Sequence, residues 1–327
     1  MAGWPRQRHG DVDFPAALAN IDGDGPDEIF ISDIDGTHAY KADGSELPGW
    51  PVSSFGRQFA FADLDGDGRL EIISAAIGGD GTYVFAYHYD GTPINGFPAF
   101  FPDYKGWLDT FPVVGDVDGD GFNEIVVVFG WNGAYDSTKH SGILIISADG
   151  KIKRAVEASG SITYGSAPAL ADLDEDCIPE IVLQTNTTLE VWLGDGSRFP
   201  SWPVNLGENP TVGNSSPVIG DVDGDQLPEI VIVENGVGLY SFNRSGLLLP
   251  RFPKLLPLGP GAVPAIADID LDGHNEIIVG SSDWTGSPGY FDTVWAYDIG
   301  GPKHGSIEWG QFGGGPKHQN VYTCKKK

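Results

Sequence analysis

The stretch Asp63-Leu64-Asp65-Gly66-Asp67-Gly68-Arg69-Leu70-Glu71 sets acids at its first, third, fifth and ninth positions, followed by Ile72-Ile73. The same spacing recurs at 20–28, 116–124, 172–180, 221–229 and 268–276, always with Glu at position nine and Ile at ten. Oxygens at positions one, three, five and nine of a tight loop, joined by the carbonyl of position seven, surround one hard cation of the size of calcium. The side-chain donors so assigned are Asn20, Asp22, Asp24 and Glu28; Asp63, Asp65, Asp67 and Glu71; Asp116, Asp118, Asp120 and Glu124. The later copies supply Asp172, Asp174, Asp176 and Glu180; Asp221, Asp223, Asp225 and Glu229; Asp268, Asp270, Asp272 and Glu276. Pro26, Arg69, Phe122, Ile178, Leu227 and His274 stand at the carbonyl position.

Glycine explains how such a loop closes, since positive φ is costly for a residue with a Cβ. Position six is Gly25, Gly68, Gly121 or Gly273 in four copies but Cys177 and Gln226 in the other two. If that position needs positive φ, the exceptions cost on the order of 1–2 kcal/mol. The second, third and sixth loops are therefore expected to bind most tightly and the fourth least, with Asn20 weakening the first by one charge. The final acid comes at nine rather than twelve, and strands flank the loop, so this is not an EF-hand.

The loops start at 20, 63, 116, 172, 221 and 268, a period that marks a repeat architecture. Each repeat reads as four strands. A short apolar strand such as Phe59 to Ala62 enters the loop, with Ala or Gly before the first ligand in all six copies. An Ile/Val-rich second strand follows, as in Glu124 to Phe129, and then a third such as Tyr83 to Tyr89, Ile143 to Ser147, Leu189 to Leu193 or Thr293 to Tyr297. Turns at Asp43-Gly44, Asp90-Gly91, Asp149-Gly150, Asp195-Gly196 and Ser245-Gly246 lead into a fourth strand. That strand carries Gly49-Trp50-Pro51, Gly96-Phe97-Pro98, Ser201-Trp202-Pro203 or Arg251-Phe252-Pro253, proline suiting an outer edge. Four antiparallel strands per period make a propeller blade, and no helical period appears.

The expected fold is thus all-β: one β-propeller domain over residues 1–327, six four-stranded blades with seven possible. A terminal strand bearing Trp4 or Trp309 is expected to pair with the sixth blade and close the ring. Residues 313–327 read as a tail, and Met1-Ala2 as the start of a trimmed chain. The 2 cysteines, Cys177 and Cys324, suggest no disulfide framework.

A net charge of -27 argues against nucleic acid or an anionic membrane as partner. Of the 46 acidic residues, 23 are assigned ligands, and six bound dications would bring the charge to -15. No apolar run suffices for membrane insertion, and no signal peptide opens the chain. The 7 histidines are scattered, and no nucleophile elbow or phosphate loop is present, so an enzyme is not expected.

These loops, in register with Asp-Gly turns and Trp-Pro strands, resemble the FG-GAP/VCBS repeat family, the calcium-loop propellers related to the head of integrin α chains. The resemblance covers roughly residues 3 to 312. It implies an extracellular or cell-surface propeller with calcium, up to six ions here, between the first and second strands of each blade. The expected role is recognition or adhesion, with a carbohydrate-binding lectin, or an ancillary domain of a secreted hydrolase, peptidase or polysaccharide lyase, as the alternatives. Strand reversal sets the metal loops and Asp-Gly turns on one face. The other face receives the irregular connections with Tyr104, Trp107, Trp131, Tyr135, Trp284 and Tyr290, which are expected to meet a protein or glycan ligand. The competing reading is that these rings only cap the ends of the blades.

Overall fold

In all six repeats the loop opens directly after one strand and its position-nine Glu is the first residue of the next. The computed structural model describes residues 3–7, 15–33, 35–54, 56, 58–106, 110–130, 140–162, 166–207, 216–234, 237–256, 262–281, 293–303 and 305–324. Among them there is no helix, and 23 strands form six antiparallel sheets. The first contains β1 (Ala17–Ala19), β2 (Glu28–Asp33) and β3 (Gly36–Tyr40), and Val52 bridges Thr37 where a fourth strand would lie. The second is β4 (Phe59–Ala62), β5 (Glu71–Gly78), β6 (Gly81–Tyr87) and β7 (Ala99–Phe101). The third is β8 (Val113–Gly115), β9 (Glu124–Phe129), β10 (Gly142–Ile146) and β11 (Ile152–Glu157). The fourth is β12 (Ala169–Ala171), β13 (Glu180–Gln184), β14 (Thr188–Trp192) and β15 (Val204–Asn205). The fifth is β16 (Val218–Gly220), β17 (Glu229–Glu234), β18 (Gly238–Phe242) and β19 (Lys254–Leu255); the sixth is β20 (Ala265–Ala267), β21 (Glu276–Ser281) and β22 (Thr293–Tyr297).

The short first strands β4, β8, β12, β16 and β20 lie beside one another in that order. The second strands β9, β13 and β17 are buried along their whole length, which is why they are runs of Ile and Val without alternation. Cores pass from sheet to sheet: Phe30 and Trp50 of the first repeat pack with Phe61 and Tyr87 of the second. The third, fourth and fifth share a cluster around Trp192, and the fifth shares Val231 and Leu249 with Ile277 of the sixth.

Outer segments lock neighbours together. Gly49, at φ 92°, lies so close to the next repeat's turn that a Cβ there would meet the Asp90 carbonyl oxygen at 1.8 Å. The Trp50 indole then donates to the Tyr89 carbonyl at 3.0 Å, as Trp202 donates to Arg244 at 2.9 Å. Trp4 makes the same bond, at 2.9 Å, to Ala42 in the first sheet. The Trp-Pro and Phe-Pro bonds of these segments are cis and precede the ladder residues of β7, β15 and β19 rather than lying within them.

The C-terminal stretch departs from expectation. Ile307–Trp309 forms β23, which pairs with β16, the first strand of the fifth sheet, so Trp309 is a buried central residue and not part of an outer strand. Among the described residues, no terminal strand pairs with β22 of the sixth sheet. Residues 310–324 are not a trailing tail. Gly310 accepts from Ile266, Lys317 from Leu18, Gln319 from Phe61 and Asn320 from Val114. The chain end thereby laces the first strands of the sixth, first, second and third sheets in turn. It is tied by a disulfide between Cys324 and Cys177 of the fourth repeat's loop, a single long-range crosslink where the cysteine count suggested no disulfide framework. Residues so few and so polar gave no periodic signal by which this path could be read from the sequence.

Candidate metal centres

The first strand of each repeat delivers position one, and antiparallel pairing sets the preceding Ala or Gly opposite the position-nine Glu, as in Ala62 with Glu71 and Gly115 with Glu124. A small residue is required there because the ends of these strands are crowded. A Cβ on Gly115 would meet Leu170 at 3.0 Å, and one on Gly220 would meet the Ile307 backbone at 3.2 Å.

Backbone hydrogen bonds give the loops one shape. Position nine is buried in every copy, and its Oε2 accepts from the N–H of position two: Ile21, Leu64, Val117, Leu173, Val222 and Ile269, at 2.7–3.1 Å. The Oδ2 of position one accepts from position six in loops two to six, at 2.8–3.0 Å. Asn20 has no second oxygen, and its Oδ1 accepts from Gly23 instead. Position five accepts from the N–H of position seven in loops two to six, a bond Pro26 lacks the hydrogen to make.

This shape needs positive φ at two places, positions four and six, whereas the expected ranking of the loops weighs only position six. Position six has it in all six loops, including Cys177 at 71° and Gln226 at 75°. Position four has it too, as Glu175 at 67° and Leu271 at 64°. The fourth loop therefore carries two strained residues and the sixth one, which removes the backbone reason for placing the sixth among the most favourable loops.

Oxygens of the loop acids gather in threes. In the second loop Asp63, Asp65 and Asp67 each bring one within 4.8 Å of the others, and Asp65 and Glu71 form such a group with His88. Asp22, Asp24 and Glu28 gather likewise, as do Asp116, Asp118 and Glu124. Burial first, then the adjacent aspartates, push the carboxyls of Glu180 and Glu229 up to about 8. Burial likewise lifts Glu124 to about 7 against the lowering effect of Lys153. Carboxylates pressed together in this way fit a hard dication, which the loop oxygens together with the carbonyl of position seven would hold.

Cations of the chain also reach the loops. Lys41 Nζ donates to Asp22 at 2.6 Å and Asp24 at 3.1 Å, and His88 Nδ1 lies 3.5 Å from Glu71. Lys153 Nζ contacts Asp118, Asp120 and Glu124 at 2.6, 2.8 and 2.9 Å. Lys41 and His88 stand next to the Asp-Gly turns, so those turns share a face with the metal loops. Asn123 and Asn275, at position eight, donate to the Asp63 and Asp221 carbonyls of the preceding repeat, a tie between loops that sequence reading missed.

Residues 63–127 and 172–232 match the FG-GAP-like repeat. The chain carries FG-GAP-like repeats. The matched regions hold the second to fifth loops, and the first and sixth share their geometry. No curated protein sequence matches the chain. Among solved structures, the V. cholerae biofilm matrix protein Bap1 is similar at 14% identity and TM-score 0.53, over 91% of this chain and 79% of that one. The Bacillus licheniformis rhamnogalacturonan lyase PL11 is similar at 17% identity and TM-score 0.55, over 89% and 57%. The exotype rhamnogalacturonan lyase YesX is similar at 16% and 0.56, over 88% and 56%. The chain spans little more than half the length of either lyase, and at such identities the likeness is one of fold.

Of the aromatic residues assigned to the opposite face, Trp107, Trp131, Tyr135, Trp284 and Tyr290 lie outside the described residues. Tyr104 is half-buried and packs edge-on against Phe129, with ring centroids 4.9 Å apart. Among the described residues, no helix is long and apolar enough to cross a membrane.

Proposed function

We propose that this chain is a calcium-stabilised recognition or adhesion module of the cell exterior, built as a closed six-bladed propeller and without catalytic activity of its own. The observation that carries the metal reading is the position-nine glutamate. Six times a buried carboxylate spends one oxygen on its own loop, while its neighbourhood fills with aspartates that repel its charge. A bound dication removes that repulsion and favours the ionised form of Glu180 and Glu229. The Cys177–Cys324 disulfide supports an oxidising compartment. The docking of Trp4 on the first sheet, which repeats that of Trp50 on the second and Trp202 on the fifth, supports closure with residues 3–5 standing where the outer segment of the sixth blade would end.

Fold likeness to a biofilm matrix protein and to two rhamnogalacturonan lyases favours polysaccharide as the ligand class. The spans of 57% and 56% on the lyases favour, as a second reading, an ancillary module beside a catalytic part. Binding of the calcium-replete chain to arrays of acidic polysaccharides and matrix proteins tests the first reading. Turnover of polysaccharide by this chain alone would defeat the non-enzymatic one.

A further inference from the structure

We propose that the third loop takes its cation from the chain itself: the Lys153 ammonium holds the place that a metal fills in the sibling loops, so this loop remains metal-free while they load. The inference rests on the calcium reading of those siblings, but the bonds that motivate it do not.

Three observations converge. In the repeats, Lys153 stands where Leu47, Ile94, Phe199 and Leu249 stand, all of them buried core residues of the fourth segment. In the third sheet the ladder between third and fourth strands slips by a single residue there, with Ile145 opposite Arg154 but Ile146 opposite Ile152, so that Lys153 is the extra residue of a β-bulge. The second, fourth and fifth sheets instead keep only an isolated bridge at this point (Tyr87–Pro93, Trp192–Arg198, Phe242–Leu248) and resume their ladders farther along. A bulge re-aims its side chain, here from the core toward the loop. Its Nζ then meets positions three, five and nine together, at 2.6, 2.8 and 2.9 Å, one partner being the buried Glu124. A calcium ion needs those same oxygens at about 2.3–2.6 Å, so ion and ammonium exclude each other. The tether also gives the ammonium an effective concentration on the order of millimolar, against which free calcium must compete.

Removing the lysine exposes a complete donor set. Asp116 Oδ1 is buried and, among the described residues, has no hydrogen-bond partner, so it stands ready as the fourth side-chain ligand.

Two measurements on the full chain test this. In the wild type, the accessibility of each lysine to reductive methylation is read by peptide mass spectrometry with and without millimolar calcium. Lys153 should stay protected in both, unlike the exposed Lys151; labelling of Lys153 that rises to the Lys151 level when calcium is added would mean that the ion displaces it and overturns the proposal. In Lys153→Met, equilibrium dialysis should find one more bound calcium than in wild type, and the metal-free melting temperature should fall by about 3–6 °C and recover with calcium. An unchanged ion count together with an unchanged metal-free melting temperature overturns it. If neither protein binds calcium, the sibling reading fails; the metal-free comparison then decides the lysine alone, a drop supporting it and no drop refuting it.

Discussion

Two properties of single residues set the behaviour of the loops. One is proton affinity. The metal-free carboxyls of Glu180 and Glu229, raised to about 8 by burial and by their aspartate neighbours, hold protons in the folded state that the unfolded chain gives up near pH 4.5. Between these values the native state binds more protons, so stability is full below about pH 4.5 and is lost as pH rises toward 8. Melting temperatures of metal-stripped protein should therefore decline steadily from pH 5 to pH 8. Saturating calcium should remove the decline, because ligation keeps both groups ionised throughout. A stripped protein that instead gains stability over this range would refute the assignment. Carboxyls held low, such as Asp22 beside Lys41 and Asp120 beside Lys153, lose their contribution only as pH falls below the ordinary carboxylate range and leave this window untouched. The other property is backbone strain. Leu271 is 87% exposed at φ 64°, so Leu271→Gly gives up little burial and relieves a costly conformation. Chemical denaturation should show a gain of about 0.5–1 kcal/mol, after the extra chain entropy of glycine is subtracted. A loss would mean that the leucine side chain has a partner of its own.

At the scale of elements, the junction between repeats concentrates energy in a close approach. Gly49 lets the chain pass against the Asp90 carbonyl, which positions Trp50 to donate to Tyr89 and to pack between Phe30 and Tyr87. Gly49→Ala should cost about 2–4 kcal/mol, strain and displacement together, although it removes no side-chain contact. Trp50→Ala should cost about 3–5 kcal/mol. Because both act on one junction, the double variant should lose less than the sum, and a denaturation cycle showing full additivity would mean that docking and burial act separately.

At the scale of the molecule, the C-terminal stretch does what no single sheet does, joining first strands from several repeats and fixing its end to Cys177. The disulfide closes a loop of 147 residues, and restraining so long a loop in the unfolded chain is worth up to about 5 kcal/mol in the chain-entropy view. Cys324→Ser should lower stability by about 3–5 kcal/mol. Deleting residues 306–327 should cost more, because it also bares the strand edges that Ile307, Lys317 and Asn320 cover. Deleting residues 1–7 should cost less than that. Thermal unfolding of the three variants sets this order, and a C-terminal deletion that melted like wild type would show that the lacing is superficial.

The local chemistry was legible because it is local. A nine-residue loop draws its ligands from one short stretch, so their spacing is written in the chain, and the same holds for strands whose Ile and Val content follows from burial on both faces. Phe59–Ala62 was read with its observed limits, and the third strands Tyr83 to Tyr89 and Leu189 to Leu193 were read within two residues of theirs. The relations that tertiary structure alone decided link residues far apart in sequence. Cys177 finds Cys324, Trp309 joins the fifth sheet, and Lys153 leaves a core position for three carboxylates. Each depends on where sheets stand relative to one another, or on one extra residue in a ladder, and neither leaves a periodic mark in the sequence.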